Sequence, residues 1–117
     1  MTSWKLEISL GIPKLSETPR LLLECIAEFI GTFIIVFFGC GSVLSPAFEQ
    51  VDVVQISLAF GLAVFIGAEI CGPISGGYMN PAVSLAGFVT GRLAFIKMTF
   101  FMFFQCIGAI GQYKKKL

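Results

Sequence analysis

Histidine is absent from this 117-residue chain, asparagine occurs once, and only 13% of the residues are charged. Without histidine the chain has no histidine base, and its other metal-binding residue types are not spaced as a metal site. A soluble globular domain carries roughly a quarter charged residues, so the low charge excludes an ordinary soluble domain. The formal net charge of +1 offers no basic surface for nucleic acid. No nucleophile–base pair and no phosphate-binding loop is present, which argues against an enzyme and against a bound cofactor.

What is present is apolar. Hydrophobic residues make up 56% of the chain, with 13 phenylalanines and 13 glycines, and the mean hydropathy is +0.91. Such a mixture suits a lipid-facing surface combined with close helix contacts. The first apolar run begins near Leu21 and is too long for a secretory signal peptide. Each cysteine lies in an apolar segment and is predicted to be a small buried hydrophobe, not a disulfide or metal ligand. The cysteines are Cys25, Cys40, Cys71 and Cys106.

Charge-free apolar runs predict three membrane-spanning helices, because one span needs about 20 mostly apolar residues. We expect these spans at about residues 22–44, 53–71 and 93–113. Lys97 lies near one end of the third span and is expected to extend to the membrane surface. Residues 1–20 would form a cytoplasmic tail, and residues 114–117 a basic tail.

The segment 72–91 is also apolar, but it cannot form one continuous helix. It is interrupted at Pro73, Gly76, Gly77 and Pro81. Irregular backbone at membrane depth is tolerated only where protein buries it or a water-filled cavity receives it. We therefore expect a re-entrant segment, with a loop over 72–79 and a half-helix over 81–88 that returns to the same side. A fourth full span is the alternative.

The Asn80–Pro81 step is typical of a helix start. Asparagine is a favoured N-cap, and proline suits the first helical position because its missing N–H would have no partner there. The positive end of the half-helix dipole would then lie in apolar surroundings, as in transport proteins that act on ions and solutes with half-helix ends.

Two further patterns concern packing and orientation. Four small residues spaced four apart predict a helix face that another backbone can approach closely. They are Ala59, Ala63, Gly67 and Cys71. Basic residues precede the first span and begin the third, which predicts a cytoplasmic N-terminus and a cytoplasmic entry for the re-entrant segment. The three lysines at 114–116 would then lie outside, against the same rule.

Several blocks resemble one family in order and spacing. The blocks are residues 27–32 (AEFIGT), 38–42 (FGCGS), 58–62 (LAFGL), 74–77 (ISGG), 80–83 (NPAV) and 104–109 (FQCIGA). Together they resemble the N-terminal repeat of the aquaporin, or major intrinsic protein, family over about residues 22–111. The resemblance implies an all-α membrane protein, with residues 21–113 forming an aquaporin-like half of three transmembrane helices plus one re-entrant half-helix.

By this resemblance, the Asn80 side chain would donate hydrogen bonds to passing water, and Pro81 and Ala82 would fix the tip of the half-helix. Phe60 would be the aromatic residue of an outer constriction, as in narrow water-selective members. Backbone carbonyls would line the cytoplasmic half of the pore as acceptors. They belong to Gly76, Gly77, Tyr78 and Met79.

Two glutamates could support the re-entrant loop. In the family, a glutamate at the position of Glu28 is buried and accepts backbone N–H bonds of this loop. The alternative is an interfacial residue, since Glu24 lies one turn earlier. Glu69 could brace the same loop or be solvated by lipid headgroups.

The chain also departs from the family. Tyr78 stands where the family usually has histidine, Pro73 replaces a common polar residue, and no second repeat follows. We expect a truncated, spliced or artefactual form whose single repeat needs a second half to complete a channel for water or small neutral solutes. Homo- or hetero-oligomers with aquaporin-like chains, lipid contacts and a multi-pass place in the plasma membrane are implied. The alternative is a non-conducting isoform that binds and regulates full-length relatives, and retention in the endoplasmic reticulum is a third outcome.

Overall fold

A computed structural model describes residues 17–44 and 52–111. Within these residues the structure is all-α, with four helices in the order α1 (Thr18–Val43), α2 (Val53–Ser75), α3 (Pro81–Val89) and α4 (Phe95–Ile110). At 1.5 Å per residue, they are about 39, 35, 14 and 24 Å long. The expected tail at 114–117 and the last two residues of the expected third span lie outside the described residues, as do residues 1–16.

Two of these helices, α1 and α2, are long and apolar enough to cross a membrane by length and composition. The helix α4 has 16 residues, fewer than the 93–113 span expected from the sequence. It begins late because the chain leaving α3 is held in a turn, where the N–H groups of Arg92 and Leu93 both donate to Gly87 O at 2.8 and 3.0 Å. A C-terminal carbonyl of α3 is thereby satisfied without extending the helix.

The end of α2 differs from the expected loop over 72–79. The helix continues through Pro73 to Ser75, and only residues 76–80 are non-helical. Proline removes just one helical hydrogen bond, and here that loss falls in the last turn of the helix. Gly76 then ends α2 in the left-handed conformation, with φ of 97°, and its N–H donates to Gly72 O at 3.0 Å. At the other end, Asp52 caps α2 by accepting from the Val54 N–H at 2.9 Å.

The helix α1 packs against both α2 and α4, and α3 packs against α4. Of the small-residue face predicted on α2, Ala63, Gly67 and Cys71 are buried, and Ala59 is half-buried. A Cβ added at Gly67 would lie 3.5 Å from Gly31 O, so the backbones of α1 and α2 approach closely at these glycines. Such small-residue contacts are typical of helix packing in membranes.

The crossing of α1 and α4 also depends on a glycine. A Cβ added at Gly108 would lie only 2.7 Å from the carbonyl oxygen of Phe29. A core cluster between the same two helices and the turn before α4 is formed by Cys25, Leu93, Met98 and the fully buried Phe101. Glycine at position 108 therefore allows the two helices to pack at this distance.

The outer surface is strongly apolar. Many large hydrophobic side chains of α1 and α2 are exposed in this chain, among them Phe38, Leu58 and Phe65. A face of this kind is typical of contact with lipid or another chain. Of the four cysteines predicted to be buried, Cys25 and Cys71 are, whereas Cys40 and Cys106 are exposed on this apolar surface, and all four are free thiols.

Candidate functional site

The turn between α2 and α3 has an unusual backbone. Gly76, Gly77 and Met79 all have positive φ angles, of 97°, 69° and 49°. Glycine adopts this left-handed region readily, whereas a residue with a side chain is strained there. The two glycines therefore suit the turn, and Met79 must be held by its surroundings.

Asn80 caps α3 as the sequence predicts. Its backbone is extended, and its Oδ1 accepts from the Ala82 N–H at 2.8 Å, while Pro81 is the first helical residue. The side-chain nitrogen of Asn80 has no hydrogen-bond partner within residues 17–44 and 52–111, and the residue is exposed. The cap thus uses the amide oxygen and leaves the two N–H donors for another molecule.

The turn also presents unused acceptors. Among the described residues, the carbonyl oxygens of Gly76, Gly77 and Tyr78 accept no hydrogen bond. Two adjoining surface cavities of about 310 and 320 Å³ share Gly77, Tyr78 and Val83 in their walls. The first also reaches Arg92, and the second reaches Asn80. The residues with open carbonyls therefore line these cavities, and the second cavity also reaches Asn80, whose amide donors are free.

Beneath the turn lies the fully buried carboxylate of Glu28. Its Oε1 accepts from Ser75 Oγ at 2.5 Å and from the Tyr78 N–H at 3.0 Å. Its Oε2 accepts from the Met79 N–H at 2.5 Å and from Gln105 Nε2 at 2.7 Å. Since a buried charge is tolerated when hydrogen bonds compensate its lost hydration, these donors explain how an anion occupies this position.

Gln105 connects the carboxylate to α3. Its side chain is fully buried and exchanges hydrogen bonds with Ser84, Nε2 to Oγ at 2.9 Å and Oγ to Oε1 at 3.2 Å. The Gln105 amide thus joins Glu28 on α1 to Ser84 in the middle of the short helix α3. A single buried network holds the turn and α3 together.

Tyr78 packs its ring inside the fold. The ring lies 6.0 Å from that of Phe101, centroid to centroid, and a Cβ added at Gly87 would meet Tyr78 Cε1 at 2.5 Å. The glycine in α3 therefore makes room for the tyrosine. Tyr78 lines both cavities, and its ring is held by packing against Phe101 and Gly87.

Two of the residues expected at the site lie elsewhere. Phe60 packs on Gly39 of α1 and does not line either of the two cavities. Glu69 is exposed and makes no hydrogen bond or ion pair within the described part of the chain, so no contact there supports its expected brace. Met79 lines the cavity that reaches Asn80, but its carbonyl accepts from Thr32 Oγ1 at 3.0 Å.

A second buried carboxylate, that of Glu24, lies one turn before Glu28. Its Oε2 forms an ion pair with Lys97 Nζ at 2.6 Å and has no further hydrogen bond in the described residues, and its Oε1 contacts Arg20 Nε at 3.3 Å. The ammonium of Lys97 thus pairs with Glu24 while its side chain remains 38% exposed. Because Glu24 is buried, this pairing supplies the counter-charge that an isolated buried carboxylate would lack.

Gln105, Ser84, Thr32 and Lys97 are the contributors that sequence reasoning missed. Their partners are distant in the chain, 77 residues for Gln105 and Glu28. One signal was available: Gln105 stands alone as a polar residue within the apolar run 100–110. An isolated polar residue in such a run usually has a buried partner.

The fold and site define an α-helical membrane-type protein in which a short helix, capped at its first turn by Asn80, begins at an open cavity. The major intrinsic protein family model matches residues 15–113. The chain belongs to this family, also known as the aquaporins, which is a family of integral membrane proteins and not of enzymes.

Individual relatives agree. Over 84 residues the chain is 48% identical to aquaporin-5 of Ovis aries, covering 72% of this chain and 32% of that protein. It is 42% identical over 93 residues to aquaporin-10 of Milnesium tardigradum, covering 77% of this chain and 23% of the relative. A third relative, aquaporin-2 of Dasypus novemcinctus, is 42% identical over 85 residues, with 73% and 78% covered. The chain thus spans about a third of the length of aquaporin-5.

Proposed function

We propose that this chain supplies one half of a membrane channel for water or small neutral solutes. The observation that carries the proposal is that residues with free carbonyls, Gly76, Gly77 and Tyr78, line the two surface cavities, and that the second cavity also reaches Asn80 with its free amide donors. Water and small polyols both donate and accept hydrogen bonds, so such a molecule can exchange its hydration for these groups in sequence.

In this proposal α1, α2 and α4 span the membrane, and residues 76–89 form the re-entrant segment, entered from the cytoplasmic side. Asn80 and Pro81 then place the positive end of α3 at membrane depth, where it repels cations. Ala82 contributes to the tip, and Phe60 is assigned to the outer constriction. The hydrogen bonds of Glu28 support the re-entrant segment. Glu69 is given no bracing role and lies on α2 before the segment begins.

A second half is required to close the path, because the cavities are surface features of this chain. It would come from a separate aquaporin-like chain or from an antiparallel copy of this one, which makes the assembly a homo- or hetero-oligomer. The plasma membrane is the proposed location.

The test is osmotic shrinkage of proteoliposomes followed by stopped-flow light scattering. The chain is reconstituted alone and together with the C-terminal half of aquaporin-5, each at verified incorporation. We expect water permeability above that of empty liposomes in at least one case, and lower permeability for Asn80→Leu, which removes the donors. Gln55→Leu is the matched control, because it also replaces a side-chain amide with leucine but lies on α2, outside both cavities. Permeability equal to that of empty liposomes in both cases would reject the channel.

The exposed apolar faces of α1 and α2 favour one alternative, a non-conducting protein that binds full-length relatives. It predicts that co-expression changes the level or water flux of such a relative. Unchanged level and flux would count against this alternative.

A further inference from the structure

Met79 is held in its strained backbone from three directions. Its φ is 49°, its N–H donates to Glu28 Oε2, and its carbonyl accepts from Thr32 Oγ1. Its side chain fills the space beside two glycines, since a Cβ added at Gly31 or Gly67 would lie 2.7 or 2.8 Å from its sulfur. A residue remains in this region only where its surroundings over-determine it.

The hydroxyl of Thr32 has two acceptors within reach, Glu28 O at 2.8 Å and Met79 O at 3.0 Å. The first already accepts the N–H of Thr32 as part of the helix α1. The second has no other donor among the described residues, and Met79 is buried. Because an unsatisfied buried carbonyl is costly, the single hydroxyl proton is better used on Met79.

We propose that Thr32 is a positioning residue that holds the Met79 carbonyl against α1 and so keeps it out of the solute path. The path then offers three carbonyls, those of Gly76, Gly77 and Tyr78, where the sequence predicted four. The same contact fixes the peptide that enters Asn80 and thus sets the direction of its donors. That a solute path exists rests on the proposed function, whereas the contact between Thr32 and the Met79 carbonyl does not depend on it.

One peptide bond can be observed alone, because Met79–Asn80 is the only Met–Asn step and Tyr78–Met79 the only Tyr–Met step in the chain. Carbonyl-¹³C methionine with ¹⁵N asparagine labels the first, and carbonyl-¹³C tyrosine with ¹⁵N methionine labels the second. Solid-state NMR of the full chain in liposomes then reports each carbonyl separately.

In the unsubstituted chain, we expect magnetisation to pass from water to the Tyr78 carbonyl faster than to the Met79 carbonyl. Thr32→Val should shift the Met79 carbonyl signal and speed its transfer from water, whereas Thr32→Ser should preserve both. Thr99→Val is the matched control, since the exposed Thr99 hydroxyl donates only within α4, to Phe95 O at 3.0 Å.

Equal or faster water transfer to Met79 in the unsubstituted chain would overturn the proposal, and this measurement does not depend on any variant folding. An unchanged Met79 signal in Thr32→Val would overturn it as well. If the liposomes conduct no water while the NMR results hold, the channel function fails and the role of Thr32 stands.

Discussion

At the scale of single residues, the molecule depends on a buried carboxylate. Glu28 meets donors from three parts of the chain: the end of α2, the turn after it and α4. Hydrogen bonds to a charged acceptor are roughly twice as strong as neutral ones. The carboxylate therefore anchors the irregular turn to α1 through hydrogen bonds.

We expect Glu28→Gln to lower the free energy of unfolding by about 3 kcal/mol, because the amide nitrogen cannot accept and leaves a buried N–H group without a partner. Denaturation of the chain in mixed detergent micelles, followed by circular dichroism, measures the change. Glu69→Gln, at an exposed glutamate without contacts in the described residues, should change stability by less than about 0.5 kcal/mol. Equal losses in the two variants would contradict the role given to Glu28.

The residue scale also shows what sequence can predict. The cap formed by Asn80 was predictable because an N-cap contacts a group two residues away. The partners of Glu28 on α4 and the donor to Met79 were not, since these contacts join residues 47 or more positions apart. Such pairs depend on how the helices pack, which no local pattern encodes.

At the scale of elements, α1 and α4 run in the same direction and contact at three levels. Glu24 pairs with Lys97, Glu28 with Gln105, and the Phe29 carbonyl with Gly108. Each level uses residues further along both helices than the level before it. The two helices are thus held in register by polar contacts and by one close backbone approach.

Glu24 and Lys97, the ion pair at the first level, should contribute to stability in a coupled way, so that replacing one changes the effect of replacing the other. We expect Lys97→Met to cost about 2 kcal/mol in unfolding free energy, because the buried Glu24 carboxylate loses its nearer counter-charge and keeps only the exposed Arg20. The partial exposure of Lys97 reduces the effect. The exchange Glu24→Lys with Lys97→Glu should destabilise the chain less than its two single replacements do in sum, because it restores a pair of opposite charges. Arg20→Met, at a largely exposed arginine, is the control and should be nearly neutral. If the separate effects of Glu24→Lys and Lys97→Glu on the unfolding free energy sum to the effect of the exchange, this double-mutant cycle refutes the coupling.

The existence of the helices followed from apolar runs, but their ends did not. The pattern predicted that α2 would stop before Pro73, whereas the helix ends at Ser75. The left-handed Gly76 and the hydrogen bond from Ser75 to Glu28 decide where the turn begins. Helix ends therefore reflect a tertiary contact that proline and glycine positions alone do not show.

At the scale of the whole molecule, two kinds of exposed surface meet. The apolar faces of α1, α2 and α4 suit lipid, whereas the wall formed by residues 76–80 carries free polar groups. Unsatisfied backbone carbonyls cannot face hydrocarbon without a large cost. Water or another chain must therefore cover this wall when the protein is in a membrane.

Thiol accessibility distinguishes a wet wall from a lipid-facing one. In a background with the exposed Cys40 and Cys106 replaced by alanine, Val83→Cys, which lies in the wall of both cavities, should react with a membrane-impermeant thiosulfonate added to liposomes. An aqueous cavity allows the reactive thiolate to form. Phe103→Cys, on the exposed apolar face of α4, should react at least about tenfold more slowly because lipid disfavours the thiolate. Mass spectrometry of the labelled chain gives both rates. Equal rates at the two positions would mean that the tip of α3 is no wetter than the outer surface, and the re-entrant arrangement would have to be abandoned.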